Sequence, residues 1–235
     1  FIVNFLAQFA FSFVSFIFIP TLPIYLEKME STGAEIGVLI GIFNLSSLIF
    51  RPFVGRALLR IPERNFMILG AVIYTLSSVT YLFAKPFWPL LILRAFQGIG
   101  MTFFSTASLT LVTRLSPEAH RGKSIGYFYF AYNMDSVTAP YFGMFLINTF
   151  NFSILFLVCA FFSSSSFFIS LKLKKAQGVP LEDESIQDQP LLSYEALPPS
   201  IMTFMASMMW GALSAFFPLY ALSRGVTNPG LFFVV

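Results

Sequence analysis

The chain has 235 residues, of which 57% are hydrophobic and 11% charged, with 32 Phe and a mean hydropathy of +0.78. Soluble domains run near a quarter charged residues, so this balance excludes one. A lone Cys159 excludes a disulfide framework and cysteine-ligated zinc, and a single His in a charged loop removes most metal and triad chemistry. The formal charge of +3 belongs to basic residues beside apolar runs. It reads as topogenic charge, with no nucleic acid as partner.

Apolar windows near 1–26, 34–58, 65–84, 87–112, 124–147, 152–172 and 199–222 are each long enough to cross a hydrocarbon core ~30 Å thick. They predict an all-α, multi-pass membrane protein with seven spans in the lipid bilayer. The closing residues 231–235, Leu-Phe-Phe-Val-Val, look like the opening of an eighth helix, and the chain reads as a fragment. The first span is too long and too polar, with Asn4 and Gln8, for a signal peptide. If the amino terminus is cytoplasmic, Arg51, Arg56, Arg60, Arg64, Arg114, Arg121, Lys123, Lys172, Lys174 and Lys175 fall inside, against Lys28, Lys85 and Arg224 outside. That bias sets a cytoplasmic amino terminus. The connector 173–198, rich in acidic residues, Gln, Ser and Pro, reads as a cytoplasmic linker between a six-helix bundle over 1–172 and a further segment over 199–235.

A repeat supports that division. Leu22-Pro23-Ile24-Tyr25 near the end of the first span reappears as Phe217-Pro218-Leu219-Tyr220 near the end of the seventh, offset by 195 residues. Gln8 then falls on Thr203, Ser12 on Ser207 and Ser15 on Trp210. A repeat after six helices in the same orientation is what two parallel bundles of a transporter would show.

In the first span, Asn4, Gln8, Ser12 and Ser15 recur every three or four residues and mark one polar stripe suited to a central path. The second span carries Gly33, Gly37 and Gly41, then Asn44, Ser47 and Arg51 on nearly the same face; the glycines read as helix-packing surface. Between the second and third spans, Gly55, Arg60 and Arg64 stand in the run Arg51 to Arg64, with Leu59, Pro62 and Glu63 between them. The fourth span holds Arg94-Ala95-Phe96-Gln97-Gly98. An intramembrane Arg costs ~2.5–3.5 kcal/mol on insertion scales, so Arg94 and Gln97 should face protein or a water-filled cavity. The alternative is that Arg94 snorkels to the headgroups. In the fifth span, Asp135 is the only carboxylate well inside any span, which suits a proton-carrying group; its alternative is a fixed charge bonded to Tyr132, Asn133 or Ser136. Arg94 and Asp135 lie at depths differing by roughly 12 Å at 1.5 Å per residue, which leaves open whether they touch. Tyr127, Tyr129, Tyr132 and Trp210 are aromatics able to stack on a substrate, and the run Ser163 to Ser166 can satisfy itself on backbone carbonyls.

Three of these segments resemble signatures of the major facilitator superfamily. The second-to-third connection is similar to its cytoplasmic signature, with Gly55, Arg60 and Arg64 matching, Leu59 in place of the Asp, Pro62 in place of the second Gly and Glu63 in place of a basic residue. The resemblance implies an inside latch in which Glu63 could substitute for the Asp. Arg94, Gln97 and Gly98 resemble the fourth-helix pattern, and Gly126, Asp135, Ala139, Pro140 and Gly143 keep the spacing of the fifth-helix antiporter pattern, with Asp135, Ala139 and Met144 replacing glycines. The resemblance implies a twelve-helix, monomeric secondary transporter of the plasma membrane, without cofactor, metal or enzymatic activity, exporting a small-molecule substrate against protons by alternating access. The charged residues inside the spans, Asp135 and Arg94, are the candidates for coupling. Asn4, Gln8, Ser12, Gln97, Tyr132, Asn133 and Trp210 fall to the substrate path, and Gly55, Arg60, Glu63, Arg64, Gly126, Pro140 and Gly143 to gating. Uptake of a sugar or metabolite by the same fold is the alternative. A seven-helix receptor is more distant, because the seventh span has no Lys for a retinal.

Overall fold

A computed structural model describes residues 2–83, 87–173, 197–226 and 229–233. Its helices are α1 (Ile2–Lys28), α2 (Gly33–Ala57), α3 (Glu63–Thr80), α4 (Phe87–Leu115), α5 (Arg121–Thr149), α6 (Phe152–Leu171) and α7 (Leu197–Ser223), with short 3-10 turns at Glu118–His120 and Pro229–Phe233. Each expected span is a helix, and among the described residues the chain is all-α. By length and composition five of them, α1, α2, α4, α6 and α7, are apolar enough to cross a membrane. α3 and α5 are diluted by polar residues, α3 by Glu63, Arg64 and Asn65 in its first turn and α5 by Arg121, Lys123, Asn133 and Asp135.

Local chemistry sets the helix starts. Thr32 and Glu35 close a reciprocal capping box on α2, the Thr32 amide donating to the Glu35 carboxylate at 2.7 Å, and the Asn151 side chain accepts from the Ile154 amide at the start of α6. Each satisfies backbone donors that a helix start leaves unpaired. Residues 229–233 form a 3-10 turn packed against α5 where the apolar run predicts a helix opening. The linker, apart from its end residues, and Lys85, Lys174 and Lys175 lie outside the described residues.

α4 packs against both α2 and α3; α6 packs against α3 and α1, and α1 packs against α5. α1 is buried along almost its whole length. Phe11 stacks on Phe104 of α4 at 3.9 Å between centroids and leans on Tyr74 of α3 at 4.4 Å. The closest approaches are made by glycines on α3 and α4. A Cβ on Gly98 would lie 2.2 Å from the Phe43 carbonyl oxygen of α2, and one on Gly70 would lie 2.7 Å from the Gly100 carbonyl oxygen. Gly33 and Gly41 face open space, and Gly37 meets only the ring of Phe216 at 3.7 Å. The α2 glycines are therefore not the tight packing surface that their spacing predicts. Spacing fixes a face but not its neighbour, and α2 presents its serines and Phe43 to α4.

α7 lies against α1 and, more lightly, α2. Both ends of α7 are displaced from those of α1 by 195 residues, the offset of the sequence repeat. Pro23 and Pro218 occupy equivalent positions near the two helix ends.

Candidate functional site

Arg94 is anchored to α2. Its Nε donates to the Leu39 carbonyl at 3.2 Å, its Nη1 donates to Gln97 Oε1 at 2.8 Å, and its guanidinium lies 4.5 Å from the centre of the Phe43 ring. The Tyr81 hydroxyl donates to the same Gln97 oxygen at 3.1 Å. Arg94 is 6% exposed, so it does not snorkel. Gly98, one turn on, removes the Cβ that would hold α2 away. Gln97 Nε2 is buried with no hydrogen-bond partner among the described residues. Tyr81 had no distinguishing signal in the sequence, since it lies at the end of another helix.

Asp135, on α5, is fully buried. Its Oδ2 is bonded to the Ser12 hydroxyl. Ser12 also donates to the Gln8 carbonyl one turn back at 2.7 Å. Asp135 Oδ1 and Gln8 Oε1 are both buried without a hydrogen-bond partner among the described residues. No ion pair joins Arg94 to Asp135 among the described residues, so the two charges are held separately. The carboxylate's partner is a serine on a neighbouring helix, not the Tyr132, Asn133 or Ser136 of its own.

The polar stripe of α1 fans out over three helices. Asn4 Nδ2 donates to the Ser108 carbonyl of α4 at 3.2 Å and its Oδ1 accepts from the Ser108 hydroxyl at 3.2 Å. Ser12 reaches α5. Ser15 shares a 3.0 Å hydrogen bond with the Tyr74 hydroxyl of α3. Asn4, Gln8 and Ser12 are therefore buried between helices here rather than open to a path. On α5, Tyr132 meets Phe16 edge-on at 4.7 Å and Asn133 is exposed. Trp210 lies on α7, with its side chain outside the described residues. In α6, Ser163 bonds to its own helix at Cys159, as its run predicts, whereas Ser166 crosses to the Ala7 carbonyl of α1 at 2.9 Å.

The gating candidates divide. Glu63, 1% exposed, pairs with Arg114 at the end of α4 at 2.5 Å, and Arg114 Nη2 donates to the Leu58 carbonyl at the end of α2 at 3.0 Å. Arg64 Nη2 donates to the Leu171 carbonyl at the end of α6 at 2.7 Å. Glu63 and Arg64 thus tie four helix ends together. Arg114, which sequence reading counts only as topogenic charge, is the clasp's central cation. Arg60 is exposed, and Gly55 and Gly126 face open space. Gly143 is different, since a Cβ there would sit 3.0 Å from Thr21 and 3.2 Å from Ile17, so this glycine lets α5 and α1 approach. Pro140 is buried one turn before it.

Comparison with known proteins agrees with this architecture. The sequence profile of the Major Facilitator Superfamily matches residues 5–235. The staphylopine export protein of Staphylococcus aureus (strain Mu50 / ATCC 700699) is 23% identical over 224 residues, covering 91% of this chain and 56% of that protein. The quinolone resistance protein NorA of the same strain is 26% identical over 128 residues, covering 54% of this chain and 33% of NorA. A solved bacterial homologue of the human lysosomal transporter Spinster, inward-facing and unoccupied, superposes with a TM-score of 0.66 at 14% identity, covering 99% of this chain and 57% of that one. A POT family transporter in complex with a thioalcohol-conjugated peptide superposes with a TM-score of 0.61 at 16% identity, covering 95% of this chain and 47% of that one. The chain spans about half the length of the first of these relatives.

Proposed function

The chain belongs to the Major Facilitator Superfamily, and from that premise we propose that the whole protein is a proton-coupled exporter of a small molecule, working by alternating access in the plasma membrane. The proposed arrangement has a cytoplasmic amino terminus, following the basic bias of the short loops. Residues 1–172 form one bundle, and 199–235 begin the second after the linker. The protein acts as a monomer, as one transport path between two bundles requires no second copy.

The observation that carries this reading is the buried Asp135 with its Ser12 partner. A serine hydroxyl has one proton to donate. Ser12 therefore cannot donate to the Gln8 carbonyl and to Asp135 together, and when it bonds to Gln8 the carboxyl group must bring the proton of the second bond. Losing that proton turns the Ser12 hydroxyl from α1's own backbone toward α5. This links a proton on α5 to the bonding of α1, the kind of two-arrangement element that coupling requires. Export is favoured over uptake by the activities for which two relatives are named, staphylopine export and quinolone resistance.

The test is flux in vesicles holding the full-length protein, with a panel of dyes, drugs and sugars and an imposed proton gradient. The expected result is movement of at least one compound opposite to the proton flow, abolished by a protonophore. Co-movement with protons would establish uptake instead, and flux indifferent to the gradient would overturn proton coupling.

A further inference from the structure

Arg94 is a buried cation without a counter-charge. Among the described residues the buried charged side chains are Glu63, Arg94 and Asp135. Glu63 pairs with Arg114 and Asp135 is bonded to Ser12, whereas no ion pair engages Arg94 among the described residues. Glu35, one turn before Leu39 on α2, is held in the capping box with Thr32, and Glu27 and Glu30 are exposed. The acidic connector leaves the bundle after Leu173, at the end where Arg64 meets Leu171 and Glu63 meets Arg114. Arg94 lies on α4 about 30 Å before Arg114, at 1.5 Å per residue.

The hydrogen bonds around Arg94 leave donors over. Its Nε is taken by the Leu39 carbonyl and its Nη1 gives one bond to Gln97 Oε1, which leaves part of the guanidinium's five N–H groups unspent. Nη2 makes no hydrogen bond among the described residues, yet it touches space that admits a water-sized body, since it is not among the fully buried atoms that lack a partner. Gln97, 0% exposed, turns its Oε1 to Arg94 and Tyr81, so its Nε2 is left as a sealed donor without an acceptor. The two sets of donors are neighbours, because Nε2 belongs to the amide whose oxygen Nη1 holds at 2.8 Å. The Tyr81 hydroxyl oxygen can accept one of these protons but brings no negative charge. A buried charge without a partner and a buried amide without an acceptor are both costly, and one small anion relieves both.

We propose that this cluster is a binding site for a small monovalent anion of chloride's size, held by Arg94 Nη2 and Gln97 Nε2. A set made only of donors selects an anion and rejects a metal cation. The full burial of Gln97 selects a small inorganic ion over an organic carboxylate. The Phe43 ring, 4.5 Å from the guanidinium, shields the cluster on the α2 side. The bound anion neutralises Arg94 and fastens α4 to α2 near the end of the bundle opposite the Glu63–Arg114 pair. The site goes beyond the transport reading above and needs no transport step.

The experiment is thermal unfolding of the purified full-length protein in lipid nanodiscs, with sodium chloride titrated against sodium gluconate at constant ionic strength. The wild-type midpoint is expected to rise with chloride and level off, as binding to the folded state alone requires. Bromide should act as chloride does. Gln97→Glu keeps an oxygen for Arg94 and Tyr81 and sets a fixed carboxylate beside the guanidinium. Its midpoint in gluconate should match or exceed that of wild type, and chloride should add nothing to it. Equal wild-type midpoints in chloride and gluconate would leave water as the partner of Gln97 and overturn the proposal. A chloride response retained in Gln97→Glu would put the anion elsewhere, and a gluconate midpoint below that of wild type would show that Arg94 lacks no counter-charge; either result overturns it as well.

Discussion

Replacing Gly98 by valine is expected to destabilise the bundle by about 3 kcal/mol or more, at the upper end of the range for over-packing. The Cβ alone would fall 2.1 Å from Ser46 Oγ and 2.2 Å from the Phe43 carbonyl oxygen. Ser46 can rotate, but Phe43 presents backbone, so α2 and α4 must separate. Separation would also stretch the Ser47–Thr102 hydrogen bond and the Arg94 contacts to Leu39 and Phe43. Gly41→Ala is the control, since nothing lies within 4 Å of a Cβ there and the change raises helix propensity by up to about 1 kcal/mol. Thermal unfolding of the two variants in lipid nanodiscs checks the pair. A Gly98→Val protein as stable as wild type would mean that α2 and α4 are not packed as described.

Glu63→Ala is expected to cost about 1–2 kcal/mol, between the values for exposed and buried ion pairs. The carboxylate is 1% exposed but the Arg114 side chain is 32% exposed, so water recovers part of the cation's loss. Glu63→Gln should cost less, because an amide oxygen can still accept from Arg114. A double-mutant cycle of Glu63→Ala and Arg114→Ala, read by denaturant unfolding, isolates the pair. A coupling energy near zero would show that the clasp across α2, α3 and α4 contributes nothing.

The helices were legible because an apolar run near twenty residues between charged connectors has few other solutions. The 195-residue offset was legible too, and the bounds of α1 and α7 repeat it. Partners were not. Asn4, Gln8, Ser12 and Ser15 form one stripe by periodicity, yet they bond to three different helices, and nothing in a single helix's period names its neighbours. Glu63 and Arg114 are far apart in the chain, so their pairing depends on how α3 and α4 pack. The same limit explains the glycines. Four-residue spacing points to Gly33, Gly37 and Gly41, whereas the contacts fall on Gly70, which carries no sequence signal, and on Gly98, which the sequence marks only as part of the Arg94 pattern.

The central claim is that Asp135 carries the coupled proton. The measurement that tests it most directly compares wild type with Asp135→Asn, as full-length proteins in vesicles, in two modes: gradient-driven export, and substrate exchange without a gradient. Asparagine keeps the shape and can still bond to Ser12, but it holds no exchangeable acid proton. The account predicts that gradient-driven export by Asp135→Asn falls to the level seen without a gradient, while exchange continues. Coupled export that survives the substitution would contradict it and leave Asp135 a structural partner of α1.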